Sequence, residues 1–238
     1  MSAVPPAASR PEEAPRPAGR HADLLVAAFC GFLLVANVAA TKLIAVGPSW
    51  APGGVPLLPL VFDGGAAVFP LTYILGDVLA EVYGFRQARR AIVAGFVLSA
   101  AAAAAFALVD AAPPAEGWEM TAAWHAVLGF VPRIVAASLA GYIVGQLLNA
   151  RVLVALRDRA RPGSLWFRLL GSTAAGGAAD TVLFCSIAFG GVVGAATLTN
   201  YIVVGYVYKL AVEAVLLPAT TLVIRAVRRA EADPAKRT

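Results

Sequence analysis

Charge is what this sequence has least of. Asp, Glu, Lys and Arg make up only 14% of its 238 residues, against about 25% in ordinary soluble domains, so a chain that faces water on all sides is excluded. Cysteine and histidine are as scarce, with two of each. Cys30 and Cys185 lack metal-ligand spacing and both fall in apolar stretches. A disulfide framework or a clustered metal centre is therefore excluded, and both thiols read as packing residues. The sequence has no G-x-x-x-x-G-K-[ST] loop, no G-x-S-x-G elbow and no H-E-x-x-H helix, so ATP hydrolysis and the common hydrolase chemistries lack their motifs. No cofactor or metal is expected.

What the chain has instead is apolar length. Hydrophobic residues reach 60% and the mean hydropathy is +0.76. A helix needs about 20 apolar residues to cross the hydrocarbon, and six stretches qualify: Leu24–Val46, Ala66–Tyr83, Ala91–Val109, Val127–Leu148, Leu169–Val193 and Leu198–Ile224. The expected fold is an all-α membrane protein with six transmembrane helices. Residues 1–22, rich in Pro, Ala and Arg, read as a disordered cytoplasmic tail; 23–226 as the transmembrane domain; 227–238 as a cytoplasmic basic tail.

The cations are distributed with a bias. Arg10, Arg16 and Arg20 precede the first stretch; Arg86, Arg89 and Arg90 follow the second; Arg151, Arg157, Arg159, Arg161 and Arg168 follow the fourth; Arg225, Arg228, Arg229, Lys236 and Arg237 follow the sixth. The first, third and fifth connections carry no Lys or Arg and hold Asp63, Asp110, Glu116 and Glu119. The positive-inside rule then places both termini in the cytoplasm. It also accounts for the net charge of +5, so nucleic acid is not an expected partner. The lipid bilayer is. Within Val55–Phe69, two short apolar runs split by Asp63-Gly64-Gly65 give a hairpin signal; open strands cannot face lipid, so this hairpin is expected at the outer surface or packed on helices.

Ionisable side chains inside such stretches are costly and mark function by default. Asp77 lies about 13 Å from the Arg86–Arg90 cluster by the helical rise, and Glu81, one turn on, about 7 Å from it. Glu81 is close enough to pair with those arginines; Asp77 is too deep. Asn37 falls near the middle of the first stretch. Arg133 opens the fourth and needs a carboxylate, backbone carbonyls or a ligand. Ala137, Gly141 and Gly145 form a small-residue stripe that points to close helix packing. Asp180 is near the middle of the fifth stretch. Lys209 and Glu213 form an i, i+4 pair in the sixth that is able to neutralise itself. The candidate binding set is Asn37, Asp77, Glu81, Arg133, Asp180, Lys209 and Glu213. A guanine-type edge, with adjacent N–H donors, suits a carboxylate acceptor such as Asp180 or Asp77, while Arg133, Asn37 and Lys209 are donors for a carbonyl edge. Phe69, Tyr73, Phe184 and Tyr201 are available to stack on a ring but fit packing roles better.

PLTYILGDVLAEVYGFRQARR, PRIVAASLAGYIVGQLLN, LWFRLLGSTAAGGAADTVLFCSIAF and YKLAVEAVLLP resemble, in order, the signatures of the queuosine precursor transporter family, also called the vitamin uptake transporter group. The resemblance covers about Asn37 to Pro218. It implies a bacterial inner-membrane importer of 7-deazaguanine bases, 7-cyano-7-deazaguanine or 7-aminomethyl-7-deazaguanine, for tRNA modification. It also implies a fold similar to the substrate-binding subunits of energy-coupling-factor transporters. The alternatives are a vitamin-capturing subunit of a larger transporter and an intramembrane enzyme with Asp77 and Asp180 as its acid/base pair. Asn149 and Gly177 depart from the family pattern, which commonly has Asp and Gln there.

Overall fold

The computed structural model describes residues 21–50, 58–159 and 165–232, so most of the expected tail over 1–22 lies outside them. Helix α1, Ala22–Ala39, is followed by strands β1, Leu43–Trp50, and β2, Leu58–Asp63. A 3₁₀ turn over Gly64–Ala67 then leads into α2, Phe69–Val78, which continues as one π-helical turn, Leu79–Tyr83. The remaining helices are α3 (Phe85–Asp110), α4 (Thr121–Val127), α5 (Val131–Arg159), α6 (Leu165–Phe189) and α7 (Ala195–Ala232).

Among the described residues five helical runs are long and apolar enough to cross a membrane: α1, α3, the α4–α5 run, α6 and α7. Their outward faces carry apolar side chains such as Val93, Val97 and Leu108 on α3 and Val203, Val207 and Leu222 on α7, as lipid contact requires. The chain is thus a mostly helical, multi-pass membrane protein. All six apolar stretches contain helix, but the second is shorter than expected. Its 10-residue helix and 5-residue π turn span about 22 Å, and the α-helix starts at Phe69, after the 3₁₀ turn that holds Ala66.

The expectation for Leu24–Val46 is corrected at its far end. Helix α1 stops at Ala39, with the Thr41 hydroxyl donating to the Val38 carbonyl at 2.8 Å and the Lys42 amide to Ala39 at 3.1 Å. Gly47 adopts φ +103° and Pro48 has no N–H, so a helix could not have continued far. Leu43–Val46 pair instead with Leu60–Asp63, antiparallel, with Leu43 opposite Asp63. A hairpin therefore forms, but Asp63-Gly64-Gly65 is not its turn. Asp63 instead closes β2, where the backbone coils into the 3₁₀ turn.

Of the three buried apolar clusters among the described residues, one of them Ala103 of α3 with Val131 and Val135 of α5, two frame the argument for the site. In one, Phe29, Cys30 and Leu33 of α1 bury against Leu79 and against Ala88 and Ala91 of α3. A Cβ at Gly95 would lie 2.8 Å from a terminal methyl of Leu33 and 3.3 Å from the Phe29 ring, so a larger residue there makes these side chains shift. In the other, Ala40 and Val61 meet Ile134 and Ala137 of α5, Phe184, Cys185, Ala188 and Phe189 of α6, and Tyr201 of α7. Both cysteines are buried and free.

Charged side chains draw three chain ends together. Arg90 pairs with Asp23 at 3.5 Å, Arg228 with Glu81 at 3.3 Å, and Glu231 accepts from the His21 amide and the Tyr83 hydroxyl. The N-terminus of α1, the α2–α3 junction and the C-terminus of α7 thus share one basic end. Gly84, at φ +88°, makes the sharp turn between α2 and α3 there. At the opposite end Asp110 meets His125 at 2.7 Å.

Candidate functional site

Helices α5 and α6 pack through glycine. A Cβ at Gly141 would sit 2.7 Å from Asp180 Oδ1, one at Gly145 2.9 Å from Asp180 Cβ, and one at Gly176 2.7 Å from the Gly145 carbonyl. The small-residue stripe of α5 therefore has a purpose beyond close approach: it makes room for the Asp180 carboxylate between the helices.

From that slot Asp180 reaches α7. Its Oδ2 receives a hydrogen bond from Lys209 Nζ at 2.6 Å, and both side chains are about 30% accessible (29% and 31%). This corrects the expected Lys209–Glu213 pair. Spacing of i, i+4 puts both on one face of α7, but the deeper carboxylate on α6 takes the ammonium. Among the described residues Glu213 makes no ion pair. It is within electrostatic reach of Asp77, as is Glu81, and Tyr73 of α2 faces Lys209, Asp180 and Glu213 together. Four of the seven candidates, Asp77, Asp180, Lys209 and Glu213, thus lie along one seam between α2, α6 and α7.

The other three are held elsewhere. Glu81 is at the basic end, but its partner is Arg228, which also donates to the Glu81 carbonyl at 3.1 Å, not the Arg86–Arg90 cluster. Arg133 donates from Nε to the Ile187 carbonyl at 2.7 Å and from Nη2 to Gly190 at 2.5 Å, and stacks over Phe130 at 5.7 Å. It caps the C-terminus of α6, whose free carbonyls and dipole favour a cation. Asn37, 3% exposed, donates to the Ser99 hydroxyl at 3.0 Å between α1 and α3, with its Oδ1 unpartnered.

The sequence reading missed Asp63, which it placed as an acid in an outer loop. The carboxylate is buried, 6% exposed, and accepts a hydrogen bond from the Tyr201 hydroxyl of α7. Around it Asn200 Oδ1 accepts from the Val61 amide at 3.1 Å, the Tyr208 hydroxyl donates to the Ala66 carbonyl at 2.8 Å, and the Phe62 and Tyr208 rings stack at 6.1 Å. Burial raises the Asp63 carboxyl above its ordinary range, opposed by the Tyr201 hydroxyl, the Gly65 and Ala66 amides and the Lys209 ammonium, which favour the anion. A carboxylate beside Gly-Gly just after an apolar strand was the available signal. Beyond it, at the end opposite the basic one, Thr41, Leu43, Ala126, Phe130, Phe189 and Val192 line a cleft of about 240 Å³.

Apolar helices long enough to cross a membrane thus surround an internal ion pair, a setting that by default marks a functional site in a membrane protein. The chain belongs to the family described as "Putative vitamin uptake transporter", which matches residues 63–223. A Bacillus subtilis relative named "Probable queuosine precursor transporter" is 32% identical over 69% of this chain and 72% of its own length. The Haemophilus influenzae protein of that name is 31% identical, and the Escherichia coli "Queuosine precursor transporter" 30% identical, each over 52% of this chain and about half of its own length (51% and 54%). No solved structure matches.

Proposed function

We propose that this protein imports queuosine precursors, 7-cyano-7-deazaguanine or 7-aminomethyl-7-deazaguanine, across the bacterial inner membrane for tRNA modification, and that the Asp180–Lys209 pair holds the base. The proposed topology has α2 and its π turn as a sixth, shorter crossing, the basic end and both termini in the cytoplasm, and a helix arrangement like that of energy-coupling-factor substrate-binding subunits. The transport domain is residues 23–226, flanked by the tails 1–22 and 227–238. The names of the three relatives support the cargo. The observation that carries the site is the 2.6 Å bond between Lys209 and Asp180 across α6 and α7.

The chemistry runs by exchange of partners. A deazaguanine edge presents adjacent ring and exocyclic N–H donors, which a carboxylate accepts in bidentate fashion. Asp180 is already flanked by an ammonium, so the base displaces Lys209 from Asp180. Glu213, one turn along the same face of α7, receives the released ammonium, and Lys209 remains within reach of the base carbonyl. Asp77 and Glu81 continue the polar seam from Glu213 toward the basic end. The placements of Arg133 on α6 carbonyls and Asn37 on Ser99 support positioning roles for those two.

The test is uptake of labelled 7-cyano-7-deazaguanine, read as queuosine in tRNA, in cells lacking both precursor synthesis and their own importer. Wild type should restore queuosine, and Asp180→Asn that reaches the membrane should not. Well-expressed wild type that fails to restore it would overturn the cargo. The family description favours a second reading, a vitamin-capturing subunit of a larger complex; co-purification with an ATPase pair would support it, and uptake by the isolated protein in liposomes would dismiss it.

A further inference from the structure

The Asp63–Tyr201 contact is not needed to hold a base at Asp180, yet it joins two elements of different kinds. On one side is the hairpin β1–β2 with its 3₁₀ turn, a segment outside the five long apolar helices. On the other is α7, which carries Lys209. The hairpin is fastened to α7 at three points in sequence order: Val61 to Asn200, Asp63 to Tyr201 and Ala66 to Tyr208. Two of these are bonds between neutral groups. Only the Asp63 bond changes strength when a proton arrives.

We propose that Asp63 is a proton-binding site, and that protonation there releases the hairpin from α7. The ionised carboxylate accepts the Tyr201 hydroxyl in a charge-assisted bond, roughly twice as strong as a neutral one. When Asp63 takes up a proton its carboxylate becomes a carboxylic acid, Tyr201 keeps its own proton, and the charge assistance is lost. The second oxygen, Oδ1, has no hydrogen-bond partner of normal geometry, while the nearby Gly65 and Ala66 amides favour the anion and are what an incoming proton works against. The groups facing the carboxylate are Tyr201, Tyr208 and Lys209 on α7, Cys185 on α6 and Tyr73 on α2. Lys42, whose carbonyl accepts the Gly64 amide at 2.8 Å, has an exposed side chain. Lys209 is the one cation in that set whose charge acts on Asp63, and it is the lysine bonded to Asp180. A base that draws Lys209 toward Glu213 removes positive charge from the neighbourhood of Asp63 and favours its protonation, so the two events reinforce each other. Phe189, a wall of the 240 Å³ cleft, packs edge-on against Tyr201 with ring centres 5.3 Å apart, so the latch lies one ring behind the cleft wall.

The latch is tested without substrate by spin labels at Ser49→Cys on β1 and Thr199→Cys on α7, both exposed positions, in a protein whose own two cysteines are buried. The distance between labels should gain a longer component as the pH is lowered, because burial holds the Asp63 carboxyl above its ordinary range. Asp63→Asn and, independently, Tyr201→Phe should give the longer component at every pH. A distance that does not change with pH in the native latch, or one that still shifts in a folded Tyr201→Phe protein, would overturn the proposal. A second arm rests on the transport reading. Uptake by wild type in liposomes should rise as external pH falls, by up to about tenfold per pH unit for one proton, and uptake by Asp63→Asn should be flat. If wild type moves no base while the labels respond to pH, the cargo is wrong and the latch stands.

Discussion

The two sides of this molecule solve burial in opposite ways. Between α1 and α3 the buried contact is made by small and apolar residues, with Gly95 beside Leu33 and the neutral bonds Asn37 to Ser99 and Cys30 to the Ala91 carbonyl, while the Arg90–Asp23 pair stays exposed at the end. Between α5, α6 and α7 glycines make the same close approach, but the space they open is filled by a carboxylate that reaches a lysine on the next helix. Glycine makes room in both places, at Gly95 alone on one side and at Gly141, Gly145 and Gly176 on the other, and what differs is whether a charge was put into the buried gap. A membrane protein has little reason to accept that cost unless the charge meets a solute, and this contrast is why the α6–α7 seam, rather than the α1–α3 seam, carries the proposed site.

The contrast can be broken most severely at Gly145. Gly145→Val places a side chain where Asp180 Cβ and the Gly176 carbonyl stand at 2.9 Å. It should abolish uptake and lower stability by about 3 kcal/mol or more, measured by thermal unfolding in detergent. Next comes Lys209→Met, which leaves Asp180 without its cation. It should cost about 2–3 kcal/mol, less than a fully buried pair because the side chains are near 30% accessible; the double variant Asp180→Asn, Lys209→Met should recover most of that stability while uptake stays lost. On the other side, Gly95→Ala should lower stability by about 1–3 kcal/mol with KM for uptake unchanged. Asn37→Ala should cost about 1 kcal/mol by stranding the Ser99 hydroxyl, again with KM unchanged; a raised KM would move Asn37 back into the site. The smallest effect is expected at Gly177, where an added Cβ meets only Tyr206 at 3.7 Å. Gly177→Gln should therefore fold normally and alter the preference among deazaguanine bases in competition uptake.

Much of this architecture was legible because hydropathy and arginine placement act one residue at a time. Apolar length gave the helices, and the arginine bias grouped Arg90 and Arg228 at one end. The sequence also named Asp180 and Lys209 individually. It did not join them, since spacing within a helix ranks Glu213 as the neighbour of Lys209 and says nothing of what a second helix brings. The strand Leu43–Trp50 was hidden for a related reason: its first residues are as apolar as α1 and only pairing with β2 separates them. Asp63 was masked by its setting, because an acid in a connection without cations resembles ordinary outer-loop charge until the hairpin is seen folded against Tyr201.

The most direct test of the central claim is equilibrium binding of 7-cyano-7-deazaguanine to purified protein, comparing wild type with the Asp180→Asn, Lys209→Met double variant, whose seam is neutral and whose fold is intact by thermal unfolding. Wild type should bind, binding should be lost in the double variant, and Gly95→Ala should bind as wild type does. A folded double variant that binds the base as tightly as wild type would place the site outside the α6–α7 seam and contradict the account.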